Sequence, residues 1–202
     1  VKIHNCAQGE AEWSILRSGK VTASEIDALI SPEWKIRTGQ GVQTYLCQKL
    51  AEKWRGGPLP GFYSHATEEG QMLEDQARKW VAFNFDERLT NVGFCESDDG
   101  RCGCSPDALI GDDGGLELKV PQPINQIRYV LEGTLPKDYA AQVHMSMYVT
   151  GRKWWKFVSY RPGFPPFVLT VNRDEKIIAR IGEALAAFYK QFDADLEKIT
   201  KL

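Results

Sequence analysis

SPDALIGDDGGLELK, residues 105–119, sets one Asp, one Glu and one Lys around a glycine-rich turn. ALI has strand character, GDDGG reads as a turn that Gly114 and Gly115 permit, and LELKV reads as the returning strand. Side chains alternate along a strand, so Glu117 and Lys119 share one face while Leu116 and Leu118 share the other. The turn folds Asp107 back toward Glu117. Two hard oxygen donors beside a lysine suit Mg²⁺ or Mn²⁺, with the lysine placed to orient or deprotonate a water. A solvated hairpin is the plain alternative, and E-x-K alone is too common to decide between them. The apolar flanks point to a half-buried hairpin. Burying carboxylates without a partner costs several kcal/mol, which a metal would offset.

The 202 residues, 43% of them hydrophobic, suffice for one domain with a full core, expected over 1–202. No apolar run approaches the ~18 residues of a membrane span. The polar start VKIHNCAQGE shows no secretory signal, so the expectation is a cytoplasmic protein without membrane attachment. A net charge of −2 disfavours a broad phosphate-binding face but not a local one. Cationic residues gather near Arg17 and Lys20, Lys35 and Arg37, Lys49 to Arg55, and Arg152 to Lys156, each expected as a solvated patch. The five cysteines include Cys102-Gly-Cys104, but no second pair completes a zinc or iron–sulfur pattern, so reduced, buried thiols are expected. His4, His65 and His144 lack ligand spacing, and His144 is expected at a helix surface or the site's edge.

AEWSILRSGKVTASEIDALI reads as two short helices, with Thr22 or Ser24 capping the second. VQTYLCQKLAEKW is amphipathic, with Val42, Leu46, Leu50 and Trp54 as its apolar stripe. RGGPLPGFYSHA is a loop and candidate internal boundary. TEEGQMLEDQARKWVAF reads as a helix capped by Thr67, with Leu73, Ala77 and Trp80 facing the core. RLTNVGFCE has strand character, QPINQIRYVLEG and KDYAAQVHMSMYVTG read as helices, KWWKFVSY and PFVLTVN as strands, and NRDEKIIARIGEALAAFYKQFDADLEKI as a long final helix. The order predicts an α/β fold with a central mixed sheet flanked by helices.

SPD, the short turn and LELK resemble the PD-(D/E)xK nuclease signature. The chain is more specifically similar to the phage lambda exonuclease family, the YqaJ-type viral recombinases. LRSGKVTASE resembles that family's L-R-x-G-x-(I/V)-T-A-S-E block, GQMLEDQAR its G-x-x-x-E-x-x-A-R helix, and YAAQVHMSMYVTG its A-Q-V-x-x-S-M-(W/Y)-V-T helix. These blocks occur in the family's order across roughly residues 13–175.

The resemblance implies a restriction-endonuclease-like core. It makes Asp107, Glu117, the Leu118 carbonyl and Glu74 the ligands of Mg²⁺, two ions with Mn²⁺ able to substitute, and Lys119 the catalytic lysine. It gives Gln142 a supporting role toward Lys119 or the attacking water. It places the 5′-terminal phosphate on Arg17, Thr22 and Ser24, where a planar fork of donors and helix-terminal hydroxyls suit an anion. The implied activity is 5′-to-3′ exonucleolysis of double-stranded DNA, releasing mononucleotides and leaving a 3′ single strand for a single-strand annealing protein. A homotrimeric ring in a bacterial host's cytoplasm, encoded by phage or prophage, is implied as well; a ring would concentrate a few basic residues in its channel. Two departures stand out. Thr67-Glu68-Glu69 replace an apolar strand-separating wedge, and Asn125 and Gln126 stand where a basic residue often sits. Another PD-(D/E)xK nuclease, of helicase-associated or CRISPR-adaptation type, and a non-catalytic DNA-end-binding protein are the competing readings.

Overall fold

The computed structural model describes residues 1–60, 68–85 and 88–201. The elements run β1 Lys2–His4, α1 Ala11–Arg17, β2 Val21–Thr22, a 3₁₀ helix Ala23–Ala28, α2 Gln40–Arg55, α3 Glu68–Asn84, β3 Leu89–Thr90, β4 Phe94–Glu96 and β5 Cys102–Cys104. They continue with β6 Ala108–Ile110, β7 Gly114–Lys119, α4 Pro123–Glu132, α5 Lys137–Thr150, β8 Trp154–Ser159, β9 Phe167–Asn172 and α6 Glu175–Thr200. The strands form two mixed sheets, β3-β6-β7-β8-β9 and β1-β4-β5-β2. β7–β8 and β2–β5 are the parallel pairs, and the other ladders are antiparallel. The fold is the expected mixed α/β type. It also has a small second sheet, which no local pattern announces because its β2–β5 pairing joins residues 21–22 to residues 102–103.

The hairpin β6–β7 sits inside the five-stranded sheet, with Ala108 opposite Leu116 and Ile110 opposite Gly114. Leu116 and Leu118 pack with Ala108, Ile110 and Val158 against Ala77 and Val81 of α3. Each such buried leucine contributes about 1.5–3 kcal/mol of burial free energy, which fixes the register. A one-residue slip would turn Glu117 and Lys119 into that apolar layer. Gly114 and Gly115 lie in β7 itself, and not in the turn where they were expected. A Cβ at Gly115 would stand 2.3 Å from the Trp155 ring, and one at Gly114 2.2 Å from Trp154. The turn falls on residues 111–113. Its left-handed position is Gly111, φ +50°.

Helix α5 lies between the sheets and contacts β4, β5, β8 and α6. Ala141, Val143, Met145, Met147 and Val149 are buried, consistent with a helix apolar around most of its girth. His144, expected at a helix surface or the site's edge, is buried edge-on to Trp34, and burial holds its imidazole below the usual range. On α2, Leu46 and Leu50 are buried but Trp54 is 62% exposed. A strict four-residue spacing drifts around a 3.6-residue helix, and three steps carry Trp54 off the core face. The expected cap Thr67, the second half of the loop before it and the side chains of Glu68 and Glu69 lie outside the described residues.

Candidate active site

Asp107 immediately precedes β6, and its N–H donates to the Leu116 carbonyl at 3.1 Å, which brings its carboxylate alongside β7. Its Oδ2 accepts the Leu118 N–H at 2.7 Å. Within one strand residue the N–H and C=O point to the same side, so the Leu118 carbonyl also turns toward Asp107, past the end of the β6 ladder. Glu117 is 3% exposed on the opposite face from the leucines. Lys119 Nζ and Gln142 Nε2 both donate to its Oε1, each at 2.6 Å. No donor among the described residues reaches Glu117 Oε2. Lys119 also stands 4.9 Å over the Tyr139 ring, and Ser146 donates to the Gln142 carbonyl at 3.0 Å. The α5 residues Tyr139, Gln142 and Ser146 therefore back this corner along one helix face.

Burial raises the Glu117 carboxyl to about 7, against the opposing pull of Lys119. Burial also lifts Asp107 above the usual carboxylate range, although Arg78 opposes it. Burial disfavours the charged form of Lys119, but Glu117 beside it outweighs this and its pKa rises. Two buried carboxylates thus carry more desolvation than their protein partners offset. Together with the Leu118 carbonyl they form a hard-oxygen donor set, and that fits Mg²⁺ or Mn²⁺.

Glu74 stands apart from that pair. Its side chain is 49% exposed, and Arg78 one turn later binds both Glu74 Oε1 and Asp107 Oδ1 at 2.8 Å. Arg78 also donates to the Asp107 carbonyl at 3.2 Å. A guanidinium therefore separates Glu74 from Asp107. Among the described residues no three Asp, Glu, His or Cys side chains converge in metal-binding array. Arg78 ends the GQMLEDQAR block but carries no role in the sequence reading, although its spacing from Glu74 puts both on one helix face.

Arg17, Thr22 and Ser24 do come together. Pairing of β2 with β5 sets Thr22 opposite Gly103, which brings the segment beside Ser105. Arg17 is 8% exposed, not the solvated cation expected. Its NH2 donates to Ser24 Oγ at 3.0 Å and Thr22 Oγ1 at 3.3 Å, and its NH1 to Ser105 Oγ at 3.3 Å. The guanidinium lies 4.3 Å over Trp13, whose Nε1 also donates to Ser105 at 2.8 Å. Arg17 Nε is buried without a partner among the described residues. A buried cation that meets only neutral oxygens is an incomplete charge pair, as an anion-binding site requires. Thr22 occupies the cap position of the 3₁₀ helix, but its side chain makes no cap bond; its hydroxyl donates to Glu25 Oε2 at 2.8 Å. Trp13 and Ser105 were missed in sequence because neither carries chemistry without the other.

One cleft of about 470 Å³ joins the two sets, lined by Arg17 and Ser24 and also by Asp107, Glu117, Lys119 and Gln142. A second, of about 480 Å³, shares Gln8 and Asp107 with it and runs on past Arg78 and Asn91. Gln126, in the place of an expected basic residue, is fully buried. It exchanges hydrogen bonds with Ser159 and donates to the Pro165 carbonyl at 2.7 Å, so it fastens α4 to the sheet. Cys95, Cys102 and Cys104 are free, buried thiols on β4 and β5. No helix among the described residues is long and apolar enough to cross a membrane.

Residues 12–153 match the model of the YqaJ-like viral recombinase domain. The crystal structure of an alkaline exonuclease (LHK-Exo) from Laribacter hongkongensis is 29% identical, covers 94% of this chain and 96% of its own, and superposes with a TM-score of 0.82. A second structure of LHK-Exo, in complex with dAMP, matches equally well, with a TM-score of 0.82. A phage related exonuclease from Haemophilus somnus 129PT, 16% identical with a TM-score of 0.67, covers 89% of this chain and 96% of its own and shares the fold. No curated protein matches the chain at a significant level.

Proposed function

Because this chain belongs to the YqaJ-like viral recombinase family, we propose that it is a divalent-metal-dependent 5′-to-3′ exonuclease acting on double-stranded DNA ends. The family and the alkaline exonuclease support a DNA exonuclease in general terms. The observation that carries the finer reading is one cleft lined both by a buried arginine that has no carboxylate partner among the described residues and by the Asp107–Glu117–Lys119 set. A terminal phosphate on Arg17 and Ser24 would place the first phosphodiester near the carboxylates and fix the direction of digestion.

Asp107, Glu117 and the Leu118 carbonyl would hold Mg²⁺, and Glu74 would join them only by leaving Arg78. The ion, when bound, supplies charge to stabilise the attacked phosphate and activates water. Lys119 positions the attacking water and offsets charge developing on the phosphate. Gln142 anchors Glu117 Oε1, which leaves Oε2 for the ion. Arg17, with the Ser24 hydroxyl, binds the 5′-phosphate through charge-assisted hydrogen bonds, while Thr22, which gives its proton to Glu25, holds the guanidinium from behind. Release of mononucleotides, a 3′ overhang passed to a single-strand annealing protein, a homotrimeric ring and action in a bacterial host's cytoplasm rest on the family resemblance.

Digestion of linear duplex, with and without 5′-phosphate and across a Mg²⁺ titration, tests this reading. The expected result is metal-dependent loss of the 5′-phosphorylated strand with closed circles untouched. Cutting of closed circles, or activity insensitive to chelation, would overturn it.

A further inference from the structure

Behind the Arg17 pocket lies a buried ionic cluster that the proposed chemistry does not use. Lys49 and Glu52 of α2 are 1% and 0% exposed, although the cationic run from Lys49 to Arg55 predicts a solvated patch. Lys49 Nζ stands 3.0 Å from Glu52 Oε2 and 3.0 Å from Glu25 Oε2. It also lies 5.3 Å over the ring of Tyr45, whose hydroxyl donates to that same Glu25 oxygen at 3.3 Å. Glu52 is held in place by the Gly19 N–H at 2.9 Å and by Gln48 at 3.1 Å.

Glu25 is the link to the pocket. Its Oε2 accepts from Thr22 at 2.8 Å, and Thr22 Oγ1 accepts from Arg17 NH2 at 3.3 Å. One hydroxyl therefore separates a buried guanidinium from a carboxylate. Yet Arg17 forms no ion pair among the described residues, and Glu25 pairs with Lys49. A buried lysine is costly to keep where an apolar residue of the same length would fit. Its position gives that cost a use.

We infer that Lys49 is a positioning residue that neutralises Glu25, so that Glu25 orients the Thr22 hydroxyl toward Arg17 without quenching the charge Arg17 presents to a 5′-terminal phosphate. The inference rests on the phosphate reading given above. Without Lys49, the Glu25 carboxylate would compete with the phosphate for Arg17. At one hydroxyl's separation, with an effective dielectric constant of about 20, that competition weakens phosphate binding at least about tenfold.

The test compares rates on duplexes carrying 5′-phosphate or 5′-hydroxyl ends. Lys49→Met removes the one cation that faces both Glu25 and Glu52 and leaves the two carboxylates charged. The expected result is a fall of at least about tenfold in the preference for phosphorylated ends, through KM, with kcat on hydroxyl ends unchanged. Adding Glu25→Gln restores the wild-type net charge and should restore the preference, since glutamine still accepts from Thr22; a merely structural role would show no such rescue. A folded Lys49→Met variant with the wild-type preference, or a double variant without recovery, would overturn the inference. If Lys49→Met does not fold, Lys49→Arg and Lys49→Gln decide: preference kept by arginine and lost by glutamine supports the inference, and equal behaviour of the two refutes it. A wild-type protein indifferent to the 5′-phosphate removes the phosphate reading and this inference together, whereas a selective wild type with an equally selective Lys49→Met variant removes this one alone.

Discussion

Replacing Glu117 with Gln should stabilise the metal-free protein while ending cleavage. Glu117 is 3% exposed, and burial moves its carboxyl from an ordinary 4.5 to about 7 even with Lys119 and Gln142 donating to it. The folded protein therefore keeps this proton to higher pH than the unfolded chain does. Stability is lost as pH rises through the window between those two values, and the full penalty is present above it. A gap of that width corresponds to about 3 kcal/mol, already net of the attraction to Lys119. Glutamine has nearly the same shape, still accepts from Lys119 and Gln142, and never ionises. In EDTA at about pH 8, urea denaturation should show the variant more stable by about 2–3 kcal/mol, with the difference shrinking toward zero near about pH 4. Added Mg²⁺ should then stabilise the wild type by mass action and the variant far less. A variant equal to or weaker than wild type at the higher pH in EDTA would show that Lys119 and Gln142 already compensate Glu117. The case for a cation-seeking site would fail with it.

Lys119→Ala should lower cleavage at least about a hundredfold while gel-shift affinity for duplex ends is retained; near wild-type turnover would remove Lys119 from the mechanism. Arg78→Met strips Asp107 of its cation and should cost the metal-free protein roughly 1–2 kcal/mol, less than a fully buried pair because the guanidinium is partly solvated. The same change should tighten Mn²⁺ binding, read by calorimetry, because Asp107 and Glu74 no longer exchange one cation for another. Gly115→Ala would press a methyl against the buried Trp155 ring and should cost about 2–4 kcal/mol in denaturant melts; an unchanged midpoint would mean that the two strands can part there without cost.

Legibility followed the range of the interaction. The alternation of LELK put Glu117 and Lys119 on one face, and the structure keeps them there with Nζ at 2.6 Å from the carboxylate. The helices from Lys137 to Thr150 and from Glu175 to Thr200 were readable from periodicity and flanks, with Gly151 ending the first and Asp174 capping the second. The family blocks marked Gln142, whose amide finds Glu117, and Arg17, which finds Thr22 and Ser24. Other features depended on partners no local pattern names. Gly114 and Gly115 looked like turn residues, but what they accommodate is Trp154 and Trp155 on the parallel neighbour strand. Lys49 looked solvated until Glu25, twenty-four residues away, closed over it.

The sequence by itself determined the hairpin, its two-faced alternation, the helices and the family, because these depend on residues within a few positions of one another. Tertiary structure alone decided that Arg78 stands between Asp107 and Glu74, that Arg17 is buried without a carboxylate among the described residues, and that Arg17 lines the same cleft as Glu117. The physical reason is that charge and burial at a site are set by whichever side chains packing brings together. Here those partners arrive from the β2–β5 pairing, from α3 and from α5, far apart along the chain.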